Sequence, residues 1–242
     1  MKEYLNTHAI VTGCSAVKEN SALVNIMTPD FGIISFVKHG FSSKKNIYKP
    51  VLQPMNQIEI QLEKSEGKYR LIDCSVLNTF DNVRSEYKKT TAVMAIFTTL
   101  AHSEINDHND HELVYMLVKK LLETLNGSTP CVMTASVYFY FQLAWCMGIS
   151  FSFGDIKDKG PYYLDIQNGN FLSGKPPEGC EYISVSDELI SIMYKFRNIR
   201  FADIDKLNYI TVSEFSGFRN MYKKYTQYHF CRAVNIQPAV IE

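Results

Sequence analysis

The stretch Phe31-Gly-Ile-Ile-Ser-Phe-Val-Lys38 runs directly into Lys38-His-Gly-Phe-Ser-Ser-Lys-Lys-Asn-Ile-Tyr-Lys49, and it indicates a strand followed by a basic loop. Residues 31–58 contain no carboxylate, although four lysines lie there: Lys38, Lys44, Lys45 and Lys49. A loop of purely positive charge on a small β-domain is a common way to hold a phosphate chain. The pattern is also typical of a solvated lysine loop, and charge alone leaves both interpretations open.

Four more short apolar stretches in the first 80 residues are typical of strands. The clearest is Asn56–Glu63, in which Ile58, Ile60 and Leu62 alternate with polar residues. The others are His8–Val11, Ala22–Thr28 and Tyr69–Asn78. Thr28-Pro-Asp-Phe-Gly32 carries turn chemistry, since glycine accepts a positive φ. Five strands in this length favour an OB-type barrel over a sandwich, which usually needs about seven.

Beyond Asn82 the apolar period becomes helical. We predict helices over Ser85–Ala101, from Asn109 to Asn126 and from Pro130 to Met147, the last one central because it is apolar nearly all round. The expected core faces of the first two are Tyr87, Val93, Met94, Phe97 and Leu100, and Leu113, Met116, Leu117 and Leu121. Further helices are expected near Ser186 and from the capping box Thr211-Val-Ser-Glu214.

A small β insertion interrupts these helices at about 149–184. Tyr162–Ile166 and Asn170–Ser173 flank Gln167-Asn-Gly169, which predicts a hairpin with a type I′ turn. The predicted fold class is therefore α+β. A five-stranded OB-like barrel over residues 1–80 is expected to bind nucleic acid, and a mainly helical domain with this insertion follows over residues 81–242.

Composition limits the possible functions. The 25 basic and 25 acidic side chains cancel, which argues against a histone-like coat protein, so that any nucleic-acid contact has to be local. No apolar run reaches the roughly 18 residues of a membrane span. The start Met-Lys-Glu-Tyr-Leu-Asn is not a signal peptide, and we expect a cytoplasmic protein.

Motifs for catalysis and metal binding are missing from the sequence. The six cysteines form no CxxC pair, and there is no Gly-x-Ser-x-Gly elbow, Walker loop, dinucleotide fingerprint or HExxH. His102 to Glu112 is rich in histidine and carboxylates, but it falls where helix caps are expected, so we predict no functional metal there. No motif of the sequence therefore favours catalysis, and a Cys/His site assembled from residues far apart in the chain stays open at this point.

Two segments carry the candidate binding residues. OB barrels hold single strands with lysines and stacking aromatics, so His39 and Tyr48 join the loop lysines as candidates. Tyr48 and Phe41 either stack on bases or fold back onto the barrel. Near the C-terminus, the stripe Phe215, Phe218, Tyr222 and Tyr225 is expected in the core. Arg219 and Lys223 flank it, where they either extend a phosphate track or dock an acidic peptide.

The order of these elements resembles the bacterial recombination mediator family RecO. His8-Ala-Ile-Val-Thr12 and Leu23-Val-Asn-Ile-Met-Thr-Pro-Asp-Phe-Gly-Ile33 are similar to its first strands and their glycine-containing turn. Phe36-Val-Lys-His-Gly40, then Lys44 and Lys45, then Leu52-Gln-Pro54 are similar to its "lysine-glycine, basic loop, leucine-x-proline" stretch.

The resemblance implies a DNA repair and recombination protein associated with the nucleoid. Members bind single- and double-stranded DNA, anneal strands coated by single-strand-binding protein, and load recombinase with RecR. It also implies that Lys38, Lys44, Lys45 and Lys49 contact phosphates and that the helical domain receives the acidic tail of single-strand-binding protein.

One departure from the family concerns zinc. Many relatives have a four-cysteine zinc module where this chain keeps only Cys180, with Cys146 just before it, so we expect no zinc cofactor. Two other functions fit the same residues: a protein-binding adaptor with a purely structural barrel, and an RNA- or tRNA-binding OB module.

Overall fold

The computed structural model describes residues 2–43, 45–101, 110–127, 131–154, 156, 160–174, 176, 179, 181–207, 209–230, 234 and 236. Four features of the sequence analysis lie outside these residues: Lys44, the stretch 102–109 with Asn109 at the start of the second predicted helix, Pro130 at the start of the third, and Cys180.

The chain begins with five antiparallel strands, which confirms the predicted strand count. They are β1 (Glu3–Lys18), β2 (Ser21–Thr28), β3 (Gly32–His39), β4 (Gln57–Ser65) and β5 (Lys68–Asn78), in the order β3-β2-β1-β4-β5. The edge strands β3 and β5 approach each other, so the sheet curls around a core that includes Val24, Ile58 and Leu62. Among the described residues no hydrogen-bonded ladder joins these two edges. The result is an incompletely closed OB-type barrel.

Strand β1 is far longer than the predicted His8–Val11. Its first half pairs with β4, starting at Glu3 opposite Lys64, and its second half pairs with β2, ending at Lys18 opposite Ser21. The strands β4 and β2 satisfy the backbone hydrogen-bonding groups of β1 along nearly its whole length, although its sequence shows little apolar alternation. Because this pairing involves residues far away in the chain, the local sequence pattern does not predict the length of β1.

Helices dominate the chain from Asp81 onward. They begin with α1 (Asp81–Ser85), α2 (Tyr87–Ala101), α3 (His111–Gly127) and α4 (Val132–Cys146). The predicted helix Ser85–Ala101 begins two residues later, at Tyr87, because Glu86 has extended backbone angles and separates it from the short helix α1. Tyr87 is 70% exposed, so its expected place in the core is wrong, whereas Val93 and Phe97 are buried as predicted.

A second sheet and two more α-helices complete the fold. Strands β6 (Ser152–Phe153), β7 (Tyr162–Asp165), β8 (Asn170–Ser173) and β9 (Tyr182–Val185) are ordered β6-β8-β7-β9, and α5 (Asp187–Phe196), a 3₁₀ helix (Phe201–Lys206) and α6 (Val212–Phe230) follow. The capping box at Thr211 and Glu214 is confirmed by its backbone-to-side-chain hydrogen bonds. The aromatic stripe of α6 is buried, as expected.

The hairpin between β7 and β8 is present, but its predicted turn type is wrong. A type I′ turn needs a positive φ at both central residues. Here Gly169 has a φ of 69°, whereas Asn168 does not have a positive φ. The Asp165 carboxylate instead accepts hydrogen bonds from the amides of Gln167 and Asn168, and this side-chain turn makes the connection longer.

Arg84 joins the barrel to the helices. Its guanidinium donates to the carbonyls of Thr79 and Pro54 and, at 2.7 Å, to the side-chain oxygen of Asn56. Asn56 is 1% exposed, and its amide nitrogen donates to the carbonyls of Pro50 and Val51. This arginine therefore connects the loop before β4 to the segment that enters α1.

Two unusual backbone conformations lie beside this arginine. Met55 and Phe80 have positive φ angles of 74° and 51°, and both side chains are buried. Non-glycine residues keep such angles only where their surroundings hold them. Met55 belongs to the same hydrophobic cluster as Phe80 and Val83, and Ile10 and Met27 also extend that cluster into the barrel. Because the core crosses residue 80, the predicted division into two domains stays a prediction.

Replacing Arg84 with Ala is expected to destabilise the protein by about 2–4 kcal/mol, because it leaves the buried Asn56 oxygen without its partner. Chemical denaturation followed by circular dichroism measures the change. The matched control is Arg70→Ala, which removes an exposed guanidinium from Glu63 but leaves that carboxylate paired with Lys2, and it is expected to cost less than about 1 kcal/mol. Equal losses for the two variants would contradict the assigned role of Arg84.

Candidate nucleic-acid interface

Three adjacent strands bring basic side chains to one end of the barrel. Lys18 pairs with Ser21 across the β1–β2 hairpin, and Ser21 pairs with His39 on β3. Lys38 is one residue before His39, and the His39 ring lies 3.0 Å from the Ser21 hydroxyl. The pairing register thus places Lys18 and His39 on the same face at this end of the sheet, and Lys38 at the same end on the opposite face.

The basic loop that follows β3 is tied to the same hairpin. The backbone carbonyl of Asn20 accepts from the Phe41 amide, and the Asn20 side-chain oxygen accepts from the Ser42 amide. Asn46 holds the loop internally, since its side chain donates to the Phe41 carbonyl and accepts from the Tyr48 amide. These bonds make the loop a pre-organised surface rather than an extended arm.

Phe41 and Tyr48 fold back onto the barrel core instead of pointing away from it. The Tyr48 hydroxyl lies 3.3 Å from the Asp73 carboxylate on β5, and the Lys38 ammonium sits 5.3 Å from the ring centroid. Loss of hydration and then the Asp73 charge raise the pKa of Tyr48. The ring therefore serves as a support for Lys38, and Tyr48 as a base-stacking residue stays a prediction.

Lys45 and Lys49 lie exposed on this loop. Neither forms an ion pair with a carboxylate among the described residues, and two acids border the edge, Glu19 in the hairpin turn and Asp73 on β5. Together with Lys18 and Lys38, this end of the barrel has four described lysines and only these two bordering acids, so its local charge is positive. We call the four lysines and His39 the cationic edge. Direct contacts join Lys38 to His39 and to Tyr48, and Lys45 and Lys49 lie on the loop that is hydrogen-bonded to the same hairpin.

Lys18 is the residue that sequence reasoning missed. It lies 20 positions before Lys38 and is followed by Glu19, so no local charge run marks it. The two-residue turn Glu19-Asn20 between two apolar strands could have indicated it. In a tight hairpin the last residue of the first strand, here Lys18, lies beside the first residue of the second strand.

Arg219 and Lys223 are carried by another layer of the molecule. Helix α6 packs mainly against α4, α5 and β9, whereas α2 and α3 make the main helical contacts with the barrel strands. Elsewhere in the basic C-terminal stretch, Arg200 and Lys206 both pair with Asp203, and Arg197 stacks on Tyr194. The structure therefore does not group Arg219 and Lys223 with the cationic edge.

An apolar cleft of about 720 Å³ lies between α3, α4 and the 3₁₀ helix. Leu113 and Met116, expected in the core, are instead 41% and 38% exposed along its wall, because the facing helix surface is left uncovered. Trp145 also lines the cleft and is 58% exposed, so α4 is not buried all round. Lys120 adds an exposed positive charge at the same place. A large apolar patch bordered by charge is typical of a protein-interaction site.

Neither metal ligands nor membrane helices are found in the part of the chain that the structure describes. No group of three or more His, Cys, Asp or Glu side chains there is arranged to hold a metal ion. Cys180 and residues 102–109 lie outside it, so the expected absence of zinc stays a prediction. None of the described helices is both long and apolar enough to span a membrane.

Comparison with known proteins identifies the domain that carries the cationic edge. Residues 1–80 match the sequence model described as "Recombination protein O N terminal". A search of curated proteins finds no match for the chain. The matched residues are those of the five-stranded OB-type sheet, including Lys18, Lys38 and the loop between β3 and β4. Residues 1–80 of the chain are therefore similar to the N-terminal domain of the RecO family of DNA repair and recombination proteins.

Proposed function

We propose that this protein is a recombination mediator that binds single- and double-stranded DNA through the cationic edge. In this proposal it anneals strands coated by single-strand-binding protein and helps RecR to load recombinase. The observation that carries the proposal is the convergence of Lys18, Lys38, Lys45 and Lys49 on the barrel that the family match covers. It acts by binding and not by making or breaking bonds, it works in the cytoplasm on the nucleoid, and it needs no zinc.

The proposed mechanism is electrostatic. Each lysine that engages a phosphate releases condensed counterions, which favours binding at low salt regardless of sequence. Two strands held on one positive surface repel each other less, and this favours their pairing. Because the chain as a whole has no net charge, the affinity arises from the local edge and is expected to be modest.

Replacing Lys45 and Lys49 together with Ala is expected to weaken binding of a labelled single strand and to reduce the slope of log K against log salt by about 1.4. Fluorescence anisotropy at several salt concentrations measures both quantities. The matched control is Lys68→Ala/Lys88→Ala, two exposed lysines outside the cationic edge, which should change neither.

The results also separate the alternatives. Binding that the Lys45/Lys49 variant retains, but that Arg219→Ala/Lys223→Ala loses, would move the interface to α6. Stronger competition by RNA than by DNA would favour an RNA-binding module. Absence of nucleic-acid binding at low salt would favour the protein-binding adaptor.

For the partner protein, we propose that the apolar cleft beside Trp145 receives the acidic tail of single-strand-binding protein. The exposed side chains of Leu113, Met116 and Trp145 suit an apolar terminal residue such as phenylalanine. Lys120 has no ion-pair partner among the described residues and suits the acidic residues before it. Arg200 and Glu123 also line the cleft, but each is already paired, Arg200 with Asp203 at 3.3 Å and Glu123 with Lys119 at 3.7 Å.

Trp145 is the single tryptophan of the chain, so its fluorescence reports on this cleft directly. An acidic peptide that ends in phenylalanine is expected to shift the emission to shorter wavelength, because the exposed indole becomes buried. The variant Lys120→Glu should weaken binding of the peptide by about tenfold through charge repulsion. Lys88→Glu is the control of equal charge change on another helix. An equal response to a peptide without the terminal phenylalanine would contradict the proposed cleft.

A further inference from the structure

The basic loop exposes one large apolar side chain, at a position between two of its lysines. Ile47 is 72% exposed and lies between Lys45 and Lys49. Among described residues 38–53 it is the one large apolar side chain so exposed, because Phe41 and Tyr48 pack onto the barrel core and Leu52 is fully buried. An isolated exposed isoleucine is ordinary on a protein surface, but this one occupies the middle of a cationic binding loop.

The backbone around Ile47 is held on both sides. Before it, the Asn46 amide donates to the Ser43 carbonyl and its side chain donates to the Phe41 carbonyl. After it, the Tyr48 amide donates to the Asn46 side chain, and the Tyr48 carbonyl accepts from the Leu52 amide. Isoleucine is also stiff at its first side-chain torsion. The side chain is thus presented with little conformational entropy left to lose on contact with a ligand.

We propose that Ile47 inserts between neighbouring bases of a single strand whose phosphates lie on Lys45 and Lys49. This rests on the proposed DNA-binding function of the cationic edge and adds to it a contact that depends on base exposure. Apolar side chains inserted between base steps unstack them even in duplex DNA, where each opened step costs a few kcal/mol. Phe41 and Tyr48, for which the sequence left stacking on bases and packing on the barrel both open, pack on the barrel core, so we assign the apolar contact with bases to Ile47.

The proposal distinguishes single strands from duplexes. A flexible single strand opens a step at little cost, whereas a duplex keeps its bases stacked and offers only its phosphates to the lysines. Ile47 therefore adds affinity for single strands and leaves the electrostatic binding of duplex unchanged.

The test uses the full chain and a single strand that contains 2-aminopurine, whose fluorescence rises when it unstacks. Binding of the unsubstituted protein should raise the fluorescence. Ile47→Ser should abolish the rise and weaken single-strand binding by about tenfold, with the salt slope and duplex binding unchanged because every lysine remains. Ile47→Leu should keep the rise. Val212→Ser is the matched control, since it alters another aliphatic side chain, 62% exposed, at the start of α6.

Each failure has a distinct meaning. If the unsubstituted protein binds no DNA, the proposed function falls. If it binds with a normal salt slope and Ile47→Ser behaves like the unsubstituted protein, only the role of Ile47 is overturned, and its exposure points to a protein contact. Equal loss of single-strand and duplex binding in Ile47→Ser would likewise overturn base insertion. Circular dichroism of each variant separates these results from unfolding.

Discussion

The arrangement of the molecule depends on the hydrogen bonds between Arg84 and the barrel. One guanidinium satisfies the Asn56 oxygen and two backbone carbonyls, at Thr79 and Pro54, where the chain leaves the sheet for the helices. Buried polar groups of this kind are costly unless every one is paired, so the junction permits one geometry. The positive φ angles of Met55 and Phe80 persist because this network and the shared hydrophobic cluster hold them.

The same constraint reaches the cationic edge. The loop that carries Lys45 and Lys49 starts after β3 and ends at Asn56, whose side chain binds the carbonyls of Pro50 and Val51. Its other end is bound to Asn20 in the β1–β2 turn. A loop fixed at both ends holds its charges at set positions. The conformational entropy of the loop is therefore lost when the protein folds, and little more is lost when a ligand binds. The lysines and Ile47 then act as parts of one surface.

How far the sequence predicted the fold depended on the range of the interaction. Alternation identified β4, and the turn at Thr28–Gly32 was confirmed by the positive φ of Gly32, since both features are local. The length of β1 was missed because it depends on two partner strands. Leu113 and Met116 fit the apolar period of α3 and were placed in the core, but periodicity does not show which neighbour covers a helix face.

By itself, the sequence determined the five-stranded barrel followed by helices and the similarity of residues 1–80 to a known family domain. It also determined that the loop between β3 and β4 contains lysines and no carboxylate. These follow from local pattern, composition and residue order. Only the tertiary structure decided that Lys18 joins the loop lysines, that Tyr48 turns inward while Ile47 stays exposed, and that Arg219 and Lys223 lie on another layer. The reason is physical: strand register and competition for the core decide which side chains meet or face solvent, and both involve residues far apart in the chain.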